Sequence, residues 1–318
     1  MGKQMQFELW QECGNNCPFC YLSAENNKFT PDKVKLHSLN RSLEKISDMT
    51  NYPEYDTIAY IGGEFFQGQL RTLEVRKKFF ELMKKTADLL RDGYIKNVWI
   101  YATMTIGNQK DLYDTLELFE KKEGLWILTS YDSVGRFHTP KMFETWDSTL
   151  LKIHELYPEV KFNITSILTG DLIEKYLSGE LDFNKMKERY HSTMFFKQCG
   201  SLFDIRKVLD HRERMNKIVP NFYPKRDEFL RFLIKFKNDM GIDEYDKLYN
   251  INYRADELYR NYNDDETKLI KRDKHSPVEN DDPLNYVFNK CGHMTLYQAY
   301  IDSDECIMCD KEMIRNMV

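Results

Sequence analysis

Three cysteines near the start of the chain have a spacing that suits metal chemistry. They are Cys13, Cys17 and Cys20 in the segment CGNNCPFCY, which is a C-x3-C-x2-C pattern. Seven cysteines placed at random over 318 residues would produce this spacing only about 0.003 times. Closely spaced thiolates bind zinc or an iron–sulfur cluster. Because a structural zinc site needs four ligands, three thiolates favour a cluster with one iron open to another molecule.

The other four cysteines form a second group toward the C-terminus. Cys291 is followed by Cys306-x-x-Cys309, and Cys199 closes a predicted strand. Cys199 can serve as a fourth thiolate, and His293 is the alternative fourth ligand. Four such ligands satisfy the tetrahedral preference of zinc, and they also suit a second iron–sulfur cluster. The sequence leaves both metals open at this site.

Regular elements must position these groups, and the chain alternates predicted strands with predicted helices. Strands are expected at residues 5–10, 56–61, 97–103, 124–130, 160–168 and 192–198, and helices at 31–49, 70–91, 110–120, 140–156, 171–189 and 226–238. Thr30 is expected to cap the first helix, with Pro31 in the first helical position. This alternation predicts an α/β fold with a parallel sheet and helical crossovers. Six repeats are fewer than the eight of a closed barrel, so we expect a partial (β/α)6 TIM-like barrel. Residues 1–205 are expected to form this core, and residues 206–318 a C-terminal metal-binding cap that Cys199 joins.

The first cysteine group directly follows the first predicted strand, and Gly62-Gly63-Glu64 ends the second. Gly-Gly alone indicates a plain turn, but its position at the end of the strand next to the cysteine loop favours a functional role. Together the two motifs resemble the signature of the radical S-adenosylmethionine (SAM) superfamily. That family has CxxxCxΦC after the first strand, with an aromatic residue at Φ, and a GGE-like motif after the second. Phe19 stands at the Φ position, and the resemblance covers about residues 4–200.

The resemblance implies a [4Fe–4S] cluster on Cys13, Cys17 and Cys20, with SAM bound at the fourth iron. It further implies that one electron cleaves SAM to a 5′-deoxyadenosyl radical, which takes a hydrogen atom from the substrate. An external one-electron donor of the flavodoxin or ferredoxin type is implied as well. Glycine at positions 62 and 63 would let the backbone approach the methionine part of SAM. The residues expected to contact SAM are Phe19, Gly62, Gly63, Glu64, Ser130 and Asp132.

Further polar residues follow other predicted strands. Thr103 and Thr105 come after the third strand, and His138 lies in the loop after the fourth. Asn163 and Thr165 lie on one face of the fifth strand because side chains alternate along a strand. Each of these residues can face a pocket or serve only as a structural hydrogen-bonding group.

The C-terminal segment from Tyr300 to Cys306 is similar to the extensions called SPASM or twitch, which carry auxiliary [4Fe–4S] clusters. The chain has too few cysteines for a complete SPASM domain. The resemblance therefore implies a single twitch-like cluster, with structural zinc as the alternative. Relatives with such clusters often modify peptides, proteins or small metabolites, and we expect a substrate of this kind.

Composition limits the remaining possibilities. The chain has 42% hydrophobic residues, a formal net charge of −5 and no apolar run near the roughly 18 residues of a membrane span. No secretory signal is visible, so we expect a cytoplasmic protein without a membrane partner. The acidic charge argues weakly against nucleic acid, although a nucleic-acid base remains an alternative substrate. A non-catalytic zinc-binding interaction protein is the alternative from another class.

Overall fold

The structure is a computed structural model of the 318-residue chain. It describes residues 3–15, 17, 29–105, 109–132, 135–197, 221, 224–246, 287–288 and 294–295. The statements below concern these residues.

Six strands form one sheet in the order β1-β2-β3-β4-β5-β6, and its two edge strands are the first and the last. The strands are β1 (Lys3–Glu8), β2 (Tyr55–Ile61), β3 (Asn97–Tyr101), β4 (Leu125–Ser130), β5 (Lys161–Ile167) and β6 (Ser192–Lys197). The pairs from β1–β2 to β4–β5 are parallel. This open parallel sheet confirms the predicted partial TIM-like barrel. The predicted C-terminal cap lies largely outside the described residues.

Helices lie between the successive strands of this sheet, and one further helix follows the last strand. They are α1 (Asp32–Ser47), α2 (Leu73–Arg91), α3 (Lys110–Glu117), α4 (Pro140–Leu156), α5 (Gly170–Ser178), α6 (Phe183–Tyr190) and α7 (Arg226–Met240). A short 3-10 turn covers Met49–Asn51. Farther along the chain, β7 (Val287–Phe288) and β8 (Met294–Thr295) form an antiparallel pair.

Burial explains why the central strands consist of continuous apolar runs. Ile58, Ala59 and Tyr60 follow one another in β2, and all three are fully buried. Consecutive residues point to opposite faces, so both faces of the sheet are covered, as parallel sheets require. Helix α2 has an apolar face that packs into the core, where Phe79 and Met83, four residues apart, are fully buried.

Local capping signals set several of the helix starts. The hydroxyl of Thr139 accepts a hydrogen bond from the backbone N–H of Met142, and Pro140 occupies the first turn of α4, as the sequence predicts. Helix α1 differs by one position from the prediction that Thr30 caps it. The helix begins at Asp32, with Pro31 in the cap position, and the backbone N–H of Thr30 donates to Glu12.

The chain divides into two compact units. The first contains the described parts of Met1–Tyr131, Gly135–Thr165 and Lys185–Met194. The second contains those of Asp132–Val134, Ser166–Asn184 and Phe195–Val318. Within the second unit, α5 packs against α7, and Tyr176 stacks on Phe183 with ring centroids 4.6 Å apart.

Among the described residues, no helix combines the length and the apolar character that crossing a membrane would take.

Candidate functional site

The loops that follow β1, β2 and β3 meet at one edge of the sheet. These strands are parallel neighbours, so their carboxyl ends lie side by side. The register pairs Glu8 of β1 with Ile61 of β2, which brings the residues just after each strand into contact. All three loops belong to the first unit. Ligands of parallel α/β folds gather at such an edge.

The cysteine loop after β1 is described in part. Cys13 is partly exposed and Cys17 is 4% exposed, and neither is part of a disulfide in the described chain. Cys20 and Phe19 lie outside the described residues, as do the second-group ligands Cys199, Cys291, His293, Cys306 and Cys309. Within the described ranges, no three His, Cys, Asp or Glu side chains are grouped to hold a metal ion.

Gly62 and Gly63 lie directly against the backbone of the cysteine loop. The N–H of Gly63 donates to the carbonyl oxygen of Trp10 at 2.7 Å, and the N–H of Glu64 donates to that of Glu12 at 2.8 Å. A Cβ atom at Gly62 would lie 2.2 Å from the Trp10 oxygen, and one at Gly63 would lie 2.1 Å from the Glu12 oxygen. Both glycines are therefore required by the close approach of the two loops.

The carboxylate of Glu64 is fully buried and accepts hydrogen bonds at both oxygens. Its Oε1 accepts from the backbone N–H groups of Phe65 at 2.8 Å and Phe66 at 2.9 Å. Its Oε2 accepts from the N–H of Thr103 at 2.5 Å and from the hydroxyl of Thr103 at 2.6 Å. Such bonds to a charged group are stronger than neutral ones. Glu64 thus fixes the turn after β2 to the end of β3.

Gln67 joins all three loops. Its Nε2 lies 2.9 Å from Oδ1 of Asn15, 2.6 Å from the hydroxyl of Thr103 and 3.1 Å from that of Thr105. Its Oε1 accepts from the backbone N–H of Gly14 at 3.3 Å. The Thr105 hydroxyl also donates to Asn15 Oδ1 at 2.6 Å. Of the two predicted polar residues, Thr105 contacts the cysteine loop and Thr103 contacts the loop after β2.

A buried ion pair holds the residue that precedes Cys13. Glu12 Oε2 lies 2.9 Å from the ammonium of Lys35, which is fully buried. Lys35 also donates to the carbonyl oxygen of Gln69 at 2.7 Å, and Arg71 pairs with the other oxygen of Glu12. Because a buried charge is costly without a partner, these groups hold the start of the cysteine loop in one arrangement.

His138 reaches the same loop from the segment after β4. Its Nε2 lies 2.5 Å from the carbonyl oxygen of Asn15, so this nitrogen carries the proton in the hydrogen bond. The ring itself is exposed. His138 therefore adds a polar contact to the cysteine loop.

The remaining predicted residues lie in other surroundings. Nδ2 of Asn163 donates to the hydroxyl of Thr193 at 3.0 Å, which makes Asn163 a link between β5 and β6. Asp132, in the second unit, is 2% exposed, and its Oδ1 accepts from the N–H of Ile167 at 2.9 Å. Ser130 is partly exposed at the end of β4, in the first unit.

Sequence reasoning missed four residues that shape the site. Glu12 and Lys35 look like ordinary surface charges, and Asn15 and Gln67 like loop amides. One local signal was available, because Asn15 lies inside the C-x3-C segment and Glu12 immediately precedes it. Their contacts join distant parts of the chain, and Glu12, Asn15 and Lys35 are buried by them.

No protein-family model matches this chain, and no curated protein matches it. Solved structures that match this chain include SuiB of Streptococcus suis. The match to SuiB bound to S-adenosylmethionine has 14% identity and a TM-score of 0.43, and covers 68% of this chain and 47% of SuiB. The match to SuiB bound to the precursor peptide SuiA has the same identity and TM-score, and covers 68% of this chain and 46% of SuiB. This chain thus spans about half the length of the SuiB structures, and the function proposed below rests on its own residues.

Proposed function

We propose that this chain is a radical SAM enzyme whose [4Fe–4S] cluster is held by Cys13, Cys17 and Cys20. The observation that carries the proposal is the contact between the cysteine loop and the Gly62–Glu64 turn. Both motifs of the sequence resemblance come together at the carboxyl edge of one parallel sheet.

The residues that are present fit a metal–thiolate group. Two thiols of the C-x3-C-x2-C pattern lie in a loop whose backbone is fixed by hydrogen bonds to two other loops. Within that loop, Nδ2 of Asn15 is buried without a partner in the described part of the protein. Soft sulfur donors in this arrangement suit an iron–sulfur cluster. Cys20 is the third thiolate of the pattern.

When bound by these cysteines, such a cluster would supply the one electron, received from an external donor, that reductive cleavage of SAM requires. The protein's own residues position this chemistry. Glu12 and Lys35 fix the base of the cysteine loop, and Glu64 fixes the adjoining turn. Phe65 and Phe66, which directly follow Glu64, are buried and keep water from its carboxylate.

The expected SAM contacts are Phe19, Gly62, Gly63, Glu64, Ser130 and Asp132. Both oxygens of Glu64 are already used inside the protein, so we propose that it acts on SAM only through the backbone that it organises. The catalytic domain is proposed to span residues 1–205. Electrons are proposed to come from an external one-electron donor of the flavodoxin or ferredoxin type.

A second metal site is proposed in residues 206–318, with Cys199 as an added ligand. It holds an auxiliary [4Fe–4S] cluster or a zinc ion on Cys199, Cys291, Cys306 and Cys309, with His293 as the alternative ligand. The proposed substrate is a peptide, a protein or a small metabolite. A nucleic-acid base is the alternative substrate, and it predicts binding to RNA or DNA that weakens steeply with salt.

Metal counting combined with SAM cleavage tests the proposal. The full chain is purified without oxygen, reconstituted with ferrous iron and sulfide, and analysed for iron, sulfide and zinc. Dithionite and SAM are then added, and 5′-deoxyadenosine is measured. Cys17→Ala is expected to lose about four irons and the product. Cys199→Ala, which changes a cysteine of the second group, is the matched control and is expected to retain SAM cleavage.

The metal content also identifies the second site. About eight irons with 5′-deoxyadenosine support both the enzyme and an auxiliary cluster. About four irons and one zinc with the same product support the enzyme and make the second site structural. Zinc alone, with no iron uptake and no SAM cleavage, would overturn the proposal in favour of a non-catalytic zinc-binding protein.

A further inference from the structure

Asn15 has a buried hydrogen-bond donor that the described protein leaves unused. The residue lies midway between Cys13 and Cys17 and is 1% exposed. Its Nδ2 is buried and has no hydrogen-bond partner among the described residues. Buried donors in folded proteins nearly always have a partner, and a bound group can supply that partner where the protein itself does not.

The orientation of the Asn15 side-chain amide can be deduced from the backbone N–H of Gly14, which can only donate a hydrogen bond. The N–H of Gly14 donates to Gln67, so the Gln67 atom that faces it must be the oxygen. Nε2 of Gln67 therefore faces Asn15, and the Asn15 atom 2.9 Å away must be its oxygen. The hydroxyl of Thr105, 2.6 Å away, donates to the same Oδ1. Nδ2 consequently points away from Gln67 and Thr105.

The backbone of Asn15 is also fixed. Its carbonyl oxygen accepts from Nε2 of His138 at 2.5 Å, and the preceding residue, Gly14, is held by Gln67. The donor therefore has a defined position within the loop that carries the thiols of Cys13 and Cys17. The acceptors that such a loop brings to a bound metal group are anionic sulfur atoms, either cysteine thiolate or inorganic sulfide.

Resting on the function proposed above, we propose that Nδ2 of Asn15 donates an N–H···S hydrogen bond to a sulfur of the cluster held by this loop, and so raises its reduction potential. Reduction adds one negative charge to the cluster, and the bond becomes stronger because the acceptor becomes more negative. Hydrogen bonds to the sulfurs are among the factors that set cluster potentials. The bond therefore favours the reduced state.

The test replaces Asn15 by leucine, which has a similar size and no donor. We expect the ratio of reduced to oxidised cluster at a fixed ambient potential to fall about tenfold, which is about 59 mV for a one-electron couple. The full chain is reconstituted without oxygen and titrated with dithionite while the electron paramagnetic resonance signal is recorded. The signal that Cys17→Ala abolishes identifies the cluster of this loop.

Gln4→Leu is the matched control. Nε2 of Gln4 is also buried without a partner in the described residues, but it lies on β1 outside the cysteine loop. The potential of this variant is expected to equal that of the wild type. Resonance Raman spectra of wild type and Asn15→Leu separate terminal Fe–S(Cys) stretches from bridging sulfide stretches, and the shifted band identifies the sulfur that accepts the bond.

Each result decides between the two proposals. Iron uptake with an unchanged potential in Asn15→Leu would overturn the hydrogen bond and leave the proposed enzyme intact. A wild-type protein that takes up no iron would overturn the proposed function itself. If Asn15→Leu does not assemble a cluster, the reduction potential of Thr105→Val tests the proposed hydrogen bond. This variant keeps Asn15 but removes the Thr105 hydroxyl, which orients the Asn15 amide. We expect a smaller shift in the same direction for Thr105→Val, and no shift would overturn the hydrogen bond.

Discussion

Replacing Glu64 by glutamine tests whether this carboxylate serves the protein's own backbone. Its two oxygens accept four hydrogen bonds, from the N–H groups of Phe65, Phe66 and Thr103 and from the Thr103 hydroxyl. Glutamine has nearly the same size but only one acceptor oxygen. In either orientation its NH2 group faces at least one backbone N–H, which then loses its acceptor. The less costly orientation points the NH2 group at Thr103, where the hydroxyl can rotate and accept.

The cost of this variant can be estimated from the bonds that it loses. A hydrogen bond to a charged group contributes about 1.5–3 kcal/mol, and a buried donor without a partner costs about 1–3 kcal/mol. At least one backbone N–H is left without an acceptor, and the hydrogen bonds that remain are made to a neutral amide. We therefore expect Glu64→Gln to lower the free energy of unfolding by about 2–4 kcal/mol.

Urea unfolding of the metal-free full chain at pH 7 measures this cost through tryptophan fluorescence. Trp10 is a suitable reporter because its Nε1 donates to the carbonyl oxygen of Glu64 at 2.8 Å. Thr103→Val is the control, since it removes one hydroxyl, with its contacts to Glu64 and Gln67, and keeps the carboxylate with three N–H donors. It is expected to cost about 1 kcal/mol. Glu64→Gln within about 0.5 kcal/mol of wild type would refute the reasoning.

Three further substitutions test other contacts. Lys35→Met leaves Glu12 without its buried partner and is expected to cost about 3 kcal/mol in urea unfolding, at the lower end for a broken buried pair because Glu12 keeps a second cation. Gly63→Ala places a methyl group 2.1 Å from the Glu12 carbonyl oxygen and is expected to cost about 1–3 kcal/mol in the same assay. His191→Asn removes the ring that stacks on His154 at 3.9 Å. Burial and the charge of His191 lower the pKa of His154, so we expect NMR titration to show a higher pKa for His154 in this variant.

The sign of the histidine effect also predicts a pH dependence. Because the folded pKa of His154 is lowered, the unfolded chain binds the proton first, and stability falls as the pH decreases through about 6.5. His191→Asn is expected to lose less stability than wild type over that decrease. Asparagine suits position 191, where φ is +47°. An unchanged pKa of His154 would contradict this prediction.

Two controls apply to the other substitutions. Gly68→Ala meets no atom within 4 Å at a φ of +86°, so it should cost only the roughly 1–2 kcal/mol of left-handed strain. If Gly63→Ala lowers the free energy of unfolding by no more than Gly68→Ala does, the close approach of the two loops is not the reason that position 63 is glycine. The double variant Lys35→Met with Glu12→Leu removes both charges and should recover part of the loss. A double variant whose cost equals the sum of both single variants would contradict the ion-pair argument.

Local sequence signals predicted most of the fold. The apolar run before Gly62 predicts a strand at residues 56–61, and β2 spans Tyr55–Ile61. Pro140 marks the observed start of α4. The start of α1 was predicted one position early, and the N–H of Thr30 donates to Glu12, which lies 18 residues away. Local patterns do not contain such a contact.

The sequence by itself determined which chemical groups stand after the first two strands. The spacing of Cys13, Cys17 and Cys20 and the position of Gly62-Gly63-Glu64 are properties of neighbouring residues, which spacing and strand periodicity report directly. Only the tertiary structure decided which groups meet. Gln67 reaches Asn15 across 52 residues and Thr105 across 38 residues. These contacts depend on the register of parallel strands, which is set by packing of the whole sheet and not by any local segment.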